Sequence, residues 1–597
     1  MKKRIFILLL SLLLLSGCSA VPDSNSPTTD NSSISEQQLF EMLFDIENRI
    51  DLQLDMSPEE LRKMQEDYEK YDCNGSKSPI YRIGNLKVTV TTPENQVYSY
   101  AIEEVGVRMK GNTSRTDFYN PIGGIYNIIH LKLSFQETFD DEAYYGANAK
   151  EWEESERQQR KERTFATLEK MELRWNRCDD GTYLKEYFAY ETYRQNGVPA
   201  PHTNLCSFDW AGIHMGVFTI NEPVDKVFLS KYLPEEALGG DLYKLGWAGG
   251  NNASFLNTNS IGIEDEDKGQ FYAYDLKTNK KASTNEALKK LIHELNDGSV
   301  TKEEFAELVD IDSFLPYCAV SYLLGNPDDL RNNYNNCYLY FRADNGKAMI
   351  IPYDFDRCLG ITTHWNPTGD GLTSDNPFGT TLLATGDDQK NPLILYSVAA
   401  GGHYVREYAT LLSQIADSDW FSFETFAKIY SIVENHYKND AKPEKSFRNT
   451  DGLKLAFDLD RTSDFSSNGN ISIQEYLNAK LETLRSYLAN VEQYADGGPQ
   501  LQPIWFIRAD FTDWQNDDRY AMAEEDGQIV IRLTLSRESK LKVYNDSTGA
   551  WYGTEFIPEE CSVPYETDHH SNIVLSAGMY LIRFDPETEV LSLEMEE

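Results

Sequence analysis

The sequence predicts an α+β protein that ends in a small all-β sandwich, and three observations support this fold class. From Ile80 onward, apolar and polar residues alternate in runs such as YRIGNLKVTVTT, which is the period of β-strands. The middle of the chain carries apolar residues at helical spacing, as in FETFAKIYSIVENHY. Beyond the break at Asp496–Pro499, short alternating runs recur between turns, which is typical of a sandwich.

The chain is long and strongly acidic. Its 597 residues are enough for several domains with sizeable cores. It contains 56 Lys and Arg against 96 Asp and Glu, which gives a formal net charge of -40. Such a charge repels the phosphate backbone of nucleic acids, so no nucleic-acid partner is expected. It suits a protein that stays soluble outside the cytoplasm.

The N-terminus has the pattern of a secretory signal peptide over residues 1–18. Basic residues at Lys2–Arg4 precede the apolar run Ile5–Leu15, which is too short to span a membrane. The following Ser16-Gly17-Cys18 resembles the end of a bacterial lipobox, which implies cleavage before Cys18 and a lipid on its sulfur. The alternative is a plain secretory signal with a chance cysteine. The lipid is the only membrane anchor that we expect, on a bacterial extracytoplasmic surface.

The composition divides the rest of the chain into four parts. We predict a polar flexible tether over 19–38, a helical segment over 39–79, a large domain over 80–495 and the sandwich over 500–597. The seven cysteines after Cys18 are odd in number and widely scattered, so we expect at most one or two disulfides. There is no CxxC or HExxH pattern, so no zinc site is expected.

The segment from Asn326 to Gly360, NPDDLRNNYNNCYLYFRADNGKAMIIPYDFDRCLG, is the most informative in the chain. The runs CYLYF and AMIIPY flank Asn345-Gly346, a strong two-residue signal for a β-hairpin. A hairpin brings its two ends side by side. We therefore expect the acidic residues before the first strand to meet those after the second.

Those ends carry Asp328 and Asn336 on one side, and Asp354 and Asp356 on the other. Carboxylate and amide oxygens without His or Cys suit Mg2+ or Mn2+. An Asp base, an Asn ligand and an Asp ligand at the ends of a hairpin are also the layout of phosphoryl transfer in protein kinases. The alternative is that these residues form ordinary turns. The metal interpretation would fail if Asp354 and Asp356 pointed apart or were held by neighbouring arginines.

Four segments, in order, are similar to one known family: GVRMKGNTS from Gly106, the strand HLKLSF from His130, GVFTINEPVDKVFL with the later GGDLYK, and the hairpin block. From roughly Ile80 to Ala495 the chain resembles the spore coat protein H-like (CotH) kinase family. The resemblance implies a reduced, atypical two-lobed protein-kinase-like fold that uses ATP with Mg2+ or Mn2+. The first lobe would cover about 80–235 and the second about 236–495.

The resemblance assigns roles to residues of the first lobe. Lys132 matches the lysine that contacts the nucleotide phosphates, although alternation in its strand also fits an exposed lysine. Glu186 would orient Lys132 through an ion pair, with Glu191 as the alternative. Glu222 would lie near the hinge where adenine binds.

A second set of first-lobe residues would surround the phosphates. Arg108 and Lys110 would supply positive charge, and the turn that contains Asn112 and Ser114 would supply backbone N–H groups. Taken alone, the same turn is equally well explained without a ligand.

The hairpin block would carry the remaining roles. Asp328 would accept or orient the proton of the substrate hydroxyl, with Asp329 as the alternative. The family places a metal-binding Asn about five residues later. Here Asn333 lies at that spacing, whereas Asn336 directly precedes the strand, so either one is a candidate. Asp354 matches the metal-binding Asp and Asp356 would be a second ligand.

The C-terminal segments ADFTDW and AGMYLIRFDPETEV loosely resemble the β-domains attached to bacterial α-glucan enzymes. In this region, Trp514, Trp551 and Tyr552 either stack on sugar rings or fill the sandwich core. A polysaccharide is therefore an expected partner of this region.

Three functions follow from these observations. The leading hypothesis is a lipid-anchored surface kinase that transfers the γ-phosphoryl group of ATP to Ser, Thr or another hydroxyl group, on a surface protein or a glycan. The second is a scaffold without catalytic activity that binds carbohydrate. The third is a nucleotidyl (AMP) transferase.

Overall fold

The computed structural model describes residues 34–112, 114–296, 300–362, 372–380, 382, 390–462, 471–495, 505–525, 528–546, 549–558, 560–586 and 588–596. The predicted signal peptide and Cys18 lie outside these ranges. None of the helices within them is long and apolar enough to cross a membrane. The seven cysteines that the structure describes all carry free thiols.

The first half of the chain folds around a closed barrel. Seven strands form it in the order β1-β2-β3-β6-β7-β9-β8, and β1 closes it by pairing in parallel with β8. A short separate hairpin joins β4 to β5. The strands are β1 Arg49–Asp55, β2 Arg82–Thr91, β3 Val97–Lys110, β4 Tyr119–Asn120, β5 Gly124–Ile125, β6 His130–Ser134, β7 Lys170–Trp175, β8 Thr203–Trp210 and β9 Ile213–Asn221.

Strand β1 corrects the prediction of a purely helical segment over 39–79. It lies between two helices and pairs with β2 over its whole length. Its alternation of Ile50, Leu52 and Leu54 into the barrel core is too short to stand out beside the long helical pattern that follows. The helices of this half are α1 Glu36–Phe44, α2 Pro58–Tyr71, α3 Glu142–Tyr145, α4 Glu154–Lys161 and α5 Lys185–Gln195.

The second half is mainly helical and contains a five-stranded sheet in the order β11-β12-β10-β13-β14. Its strands are β10 Leu242–Leu245, β11 Ile261–Gly262, β12 Tyr274–Leu276, β13 Cys337–Phe341 and β14 Ala348–Pro352. Its helices are α6 Lys226–Tyr232, α7 Glu286–Asn296, α8 Lys302–Leu308, α9 Ile311–Leu324, α10 Leu330–Asn333, α11 Pro392–Ser397, α12 Val405–Ala416, α13 Phe423–Tyr437, α14 Ile473–Leu488 and α15 Glu492–Ala495.

The predicted hairpin is confirmed. Strands β13 and β14 pair antiparallel from Cys337 opposite Pro352 to Phe341 opposite Ala348. Helix α5 follows the barrel strand β7 in sequence but packs in the core of the helical half, where Phe188 and Tyr193 are fully buried. It therefore places its first turn between the barrel and the end of the hairpin.

The C-terminal region forms two antiparallel sheets, β15-β18-β21-β20 with β19 on β18, and β16-β17-β22-β23. The two sheets share one hydrophobic core. Their strands are β15 Trp505–Ala509, β16 Ala523–Glu525, β17 Gln528–Leu535, β18 Ser539–Asn545, β19 Ala550–Tyr552, β20 Glu566–Thr567, β21 Ile573–Leu575, β22 Gly578–Asp585 and β23 Val590–Glu596.

Side-chain alternation along β7 creates the charged surface of the barrel. Met171 and Leu173 point into the barrel core, so Glu172 and Arg174 point outward toward the helical half. In the sheet, Glu172 lies opposite Lys132 of β6. Opposite charges are thus fixed on adjacent strands by the register of the barrel.

Candidate active site

One buried arginine connects the barrel to the end of the hairpin. Nη1 of Arg174 donates a hydrogen bond of 2.7 Å to Oε1 of Glu186, in the first turn of α5. Nη2 donates to Oδ1 of Asp354 and, over 3.2 Å, to Oδ2 of Asp356. Arg174 therefore brings three of the predicted site residues to one point.

Local structure fixes the direction of Asp354. Its backbone is in the left-handed region, with φ of 62°, which is uncommon for a residue other than glycine. Its N–H donates to the hydroxyl of Tyr190 over 2.9 Å, and its carbonyl accepts from the side chain of Asn326 over 3.2 Å. Helix α5 and the loop that follows α9 thus determine where the chain turns after β14, and backbone strain of this kind is frequent at functional sites.

Burial and charge act differently on the acidic residues around Arg174. Burial opposes ionisation of Asp354, but Arg174, Lys110 and Lys244 outweigh it and hold the pKa of Asp354 below its ordinary value. Burial and repulsion by Asp354 raise the pKa of Asp356. Burial raises the pKa of Glu186 to about 7, and Arg174 only partly opposes it. Asp354 is therefore the most strongly ionised acid of the group.

Asp354 and Asp356 differ from Arg174 in their access to solvent. The Arg174 side chain is 7% exposed, whereas the side chains of Asp354 and Asp356 are 32% and 28% exposed. The two acidic residues can therefore be reached from outside, while the arginine approaches them from the protein interior.

A second charged cluster lies beside the first and is centred on Glu172. Nζ of Lys110 lies 2.9 Å and Nζ of Lys132 lies 3.7 Å from its carboxylate oxygens, and the hydroxyl of Tyr353 donates to it over 3.1 Å. Burial acts to raise the pKa of Glu172, but the two lysines lower it to about 2. The predicted ion pair between Lys132 and Glu186 is wrong, because the register of the barrel gives Lys132 the nearer Glu172.

Sequence reasoning missed both Glu172 and Arg174. The signal was the run MELRW, whose alternation places the two charges on one side of a strand. Glu191, the alternative to Glu186, pairs with Arg194 on its own helix. It takes no part in either cluster.

Lys244 of β10 is a further residue to which the sequence interpretation gave no role, although it is the last residue of the family segment GGDLYK. Its Nζ lies 4.8 Å from the centre of the Tyr353 ring, and Nζ of Lys110 lies 5.4 Å from the same ring. No carboxylate lies within ion-pair distance of Lys244 among the residues that the structure describes. Burial and repulsion by Lys110 and Lys277 lower its pKa to about 8. Buried cations side by side attract an anion.

The structure separates Asp328 from Asp329. Oδ1 of Asp328 accepts hydrogen bonds from the side chains of Asn333, over 2.5 Å, and Asn335, over 3.0 Å. Burial raises the pKa of Asp328, and the charge of Asp354 adds to this. Asp329 is fully buried, caps α10 through the N–H of Asn332 over 2.8 Å and accepts from the hydroxyl of Ser321. Asp329 therefore supports the loop that carries Asp328.

The two candidate asparagines differ in their contacts. The Asn333 side chain holds Asp328, whereas the backbone carbonyl of Asn336 accepts from the N–H of Tyr353 over 3.1 Å at the end of the hairpin. Within the described ranges, no group of three or more His, Cys, Asp or Glu is arranged to hold a metal ion. The carboxylate oxygens of Asp354 and Asp356 are nevertheless the type of ligand that Mg2+ and Mn2+ prefer, and both converge on one atom, Nη2 of Arg174.

The other predicted phosphate-binding residues lie in different surroundings. Arg108 pairs with Glu266 over 2.5 Å and donates to the carbonyl of Ser78 over 3.0 Å. The turn after β3 contains Asn112, which is exposed, and Ser114, which is half-buried. Arg115 holds this turn by donating to the Gly111 carbonyl over 2.8 Å. The described contacts do not join these residues to the Arg174 cluster.

Glu222 is almost fully buried at the end of β9, where the chain leaves the barrel. Its carboxylate lies 2.8 Å from Nζ of Lys231 and 3.0 Å from Nδ1 of His202. Burial acts to raise its pKa, but these two partners lower it. The side chain thus fixes the connection between the two halves, and its predicted contact with adenine stays a prediction.

A known protein family matches the part of the chain that holds these residues. The family model described as CotH kinase protein matches residues 130–494, which include β6, β7, α5, Lys244 and the hairpin. No curated protein matches the chain. Since the family model matches more than half of the chain, the protein belongs to the CotH kinase family.

Proposed function

We propose that the protein is a lipid-anchored extracytoplasmic kinase that transfers the γ-phosphoryl group of ATP to Ser, Thr or another hydroxyl group of a surface protein or glycan. One observation carries this proposal: Asp354 and Asp356 follow the second strand of the hairpin, at a place where Lys110 and Lys244 are close enough to act on the charge of Asp354. Acidic residues for a metal next to cations for phosphates are what phosphoryl transfer requires.

The cations have distinct tasks in this proposal. Lys110 and Lys132 both lie within ion-pair distance of Glu172, which fixes their positions. Lys244 has no such partner among the described residues and is therefore the cation most available to the nucleotide phosphates. Ammonium groups at these three positions neutralise phosphate charge without moving during the reaction.

The acidic residues divide into metal ligands and a proton acceptor. Asp354 and Asp356 would hold Mg2+ or Mn2+. Such an ion, when bound, neutralises charge that develops on the phosphate oxygens. Asp328 lies across the hairpin end, where Asn333 and Asn335 orient its carboxylate. Its raised pKa makes it a better acceptor for the proton of the attacking hydroxyl group.

The predicted signal peptide and Cys18 support a location outside the cytoplasm, and the net charge of -40 supports a soluble domain held by a lipid alone. The signal peptide and Cys18 lie outside the described residues. They support surface proteins or glycans as acceptors, because those molecules share the compartment.

A scaffold without catalytic activity is the second candidate, and one observation favours it. Arg174 already neutralises Asp354 and Asp356, as ion pairs in a purely structural core do. The solvent access of both acidic residues favours the kinase instead, since a structural pair gains nothing from exposure.

Two measurements on the purified protein separate these functions. The melting temperature with Mg2+ or Mn2+ should rise on addition of ATP if the site binds nucleotide, and the same melting temperature with and without ATP would support the scaffold. Label from γ-labelled ATP should then appear on an acceptor protein or glycan. Label from the α position instead would identify an AMP transferase.

A further inference from the structure

The C-terminal sandwich carries an open groove that has no role in phosphoryl transfer. It has a volume of about 420 Å³, and two tryptophans line it, Trp514 after β15 and Trp551 on β19. Polar side chains complete the lining, among them Lys542, His570 and Asn572. A groove that combines flat aromatic faces with hydrogen-bonding groups is suited to a ligand with both kinds of surface.

Trp551 is exposed yet held firmly from behind. Trp551 is 38% exposed. The centre of its ring lies 4.7 Å from the centre of the Tyr544 ring on the paired strand β18. The guanidinium of Arg508 lies 3.6 Å from the centre of the Tyr544 ring and 5.3 Å from that of Trp551. These contacts support the Trp551 ring while much of the residue stays exposed to solvent.

Trp514 lies at the groove in a backbone conformation with a positive φ angle. Asp513 and Trp514 both have left-handed conformations, with φ of 49° and 60°, and the N–H of Trp514 donates to the Ala509 carbonyl over 3.0 Å. Bulky residues rarely adopt this conformation. The sandwich core does not include Trp514, so packing does not explain the placement.

Asp568 organises the polar side of the groove. Its carboxylate accepts from Nζ of Lys540 over 3.1 Å, from the N–H of His570 over 2.9 Å and from Nδ2 of Asn572 over 3.0 Å. These bonds fix polar groups that line the groove together with the tryptophans. Fixed polar groups of this kind recognise hydroxyl groups with little loss of conformational entropy.

The two tryptophan rings are inclined to each other. Their centres lie 6.3 Å apart and their planes meet at 52°. A sugar ring has an apolar C–H face and a rim of hydroxyl groups, so consecutive sugars can stack on both rings only if their faces are also inclined. Chains with α-1,4 links are curved and meet this condition, whereas flat β-1,4 ribbons do not.

We infer that the groove between Trp514 and Trp551 binds a curved glycan chain of the α-1,4-linked glucose type. The tryptophans stack on successive sugars, and the rim around Asp568 contacts their hydroxyl groups. This site is separate from the proposed kinase site, and it attaches the protein to a polysaccharide.

Titration calorimetry of the full chain with maltoheptaose and with cellohexaose tests the inference. Maltoheptaose should bind, and cellohexaose should bind at least about tenfold more weakly. Trp551→Ala and Trp514→Ala should each weaken maltoheptaose binding by at least about tenfold, and Trp551→Phe should retain part of it.

The control variant is Met579→Ala, which removes an apolar side chain that is 43% exposed on β22 and does not line the groove. It should leave maltoheptaose binding unchanged. Asp354→Ala should do the same, which separates this inference from the kinase proposal. Equal binding of the two glycans, no binding of either, or unchanged binding by Trp551→Ala would overturn the inference.

Discussion

Asp354 and Asp356 share one guanidinium nitrogen, Nη2 of Arg174, which donates a hydrogen bond to a carboxylate oxygen of each. The two acidic residues thus converge on one point, whereas the sequence interpretation expected a divalent cation there. The charge at that point belongs to an arginine, which is the arrangement that this interpretation named as evidence against a metal. Both acidic residues are partly exposed, and the chain belongs to a kinase family. Metal binding by this pair is therefore the first property to test.

Asp354→Ala should abolish transfer of label from γ-labelled ATP while the fold remains intact. The loss should be at least about 100-fold, because the residue is proposed to bind the ion that stabilises charge on the phosphate. The matched control is Asp344→Ala in the exposed turn of the same hairpin, where Asp344 pairs with Arg342 over 2.7 Å. Unchanged incorporation by Asp354→Ala would refute the metal assignment.

Arg174→Met should destabilise the protein by about 3 to 5 kcal/mol, since it leaves the buried carboxylate of Glu186 and two neighbouring acidic residues without their cation. Mn2+ should then raise the melting temperature of this variant more than that of the wild type, because the ion replaces the missing charge. Denaturant unfolding and thermal melts with and without Mn2+ measure both effects. If Mn2+ left the melting temperature of Arg174→Met unchanged, the cluster would be purely structural.

Lys244→Met should weaken ATP binding about tenfold while AMP binding changes little, because the ammonium is proposed to contact the outer phosphates. The pKa of Lys244 is lowered to about 8 by burial and by Lys110 and Lys277. Only its protonated form attracts phosphate. ATP affinity of the wild type should therefore fall between about pH 7.5 and pH 9.5, as the group loses its proton.

The Lys244→Met variant should show a smaller decrease over the same range. Lys289→Met, which changes an exposed lysine of α7, is the control and should follow the wild type. Titration calorimetry at several pH values measures these affinities. Equal pH dependence in wild type and Lys244→Met would exclude the lysine from the phosphate site.

Asp328→Asn and Asp329→Asn should affect different properties, the first the transfer reaction and the second the stability of the fold. The first should lose transfer by at least about 100-fold with little change in stability, because Asp328 is partly accessible and held by amide groups. The second should lower stability, since Asp329 caps α10 and accepts from buried Ser321. Transfer assays beside thermal melts distinguish them, and the reverse pattern would exchange their roles.

Cys18→Ser should release the protein from bacterial membranes and abolish labelling with radioactive palmitate, because the sulfur is the proposed lipid attachment point. Cys73→Ser, which changes an exposed thiol, is the control and should remain in the membrane fraction. Membrane retention of Cys18→Ser would refute the lipid anchor.

Local sequence patterns were enough to predict several elements. The Asn345-Gly346 turn and the apolar runs beside it specified the β13–β14 hairpin, whose ends bring Asp328 close enough for the charge of Asp354 to act on its pKa. The alternation in HLKLSF specified β6, and the helical pattern around Glu186 specified α5. Each of these depends on neighbours in the chain, whose spacing the sequence shows directly.

Partners that are distant in the chain were not predictable in this way. Lys132 was expected to pair with Glu186, but the pairing of β6 with β7 places it opposite Glu172. Arg174 was not recognised, because a single arginine in a strand gives no sign of the three acidic residues that will surround it. The surroundings of Lys244 were likewise not predictable, because they depend on where β10 lies relative to Tyr353 in the folded chain.

The sequence by itself determined the family, the hairpin and the types of chemical group available, because motifs and short-range periodicity are properties of contiguous residues. Only the tertiary structure decided which charge faces which. Strand register and the packing of α5 set those pairings, and they depend on residues more than 100 positions apart, such as Arg174 and Asp354.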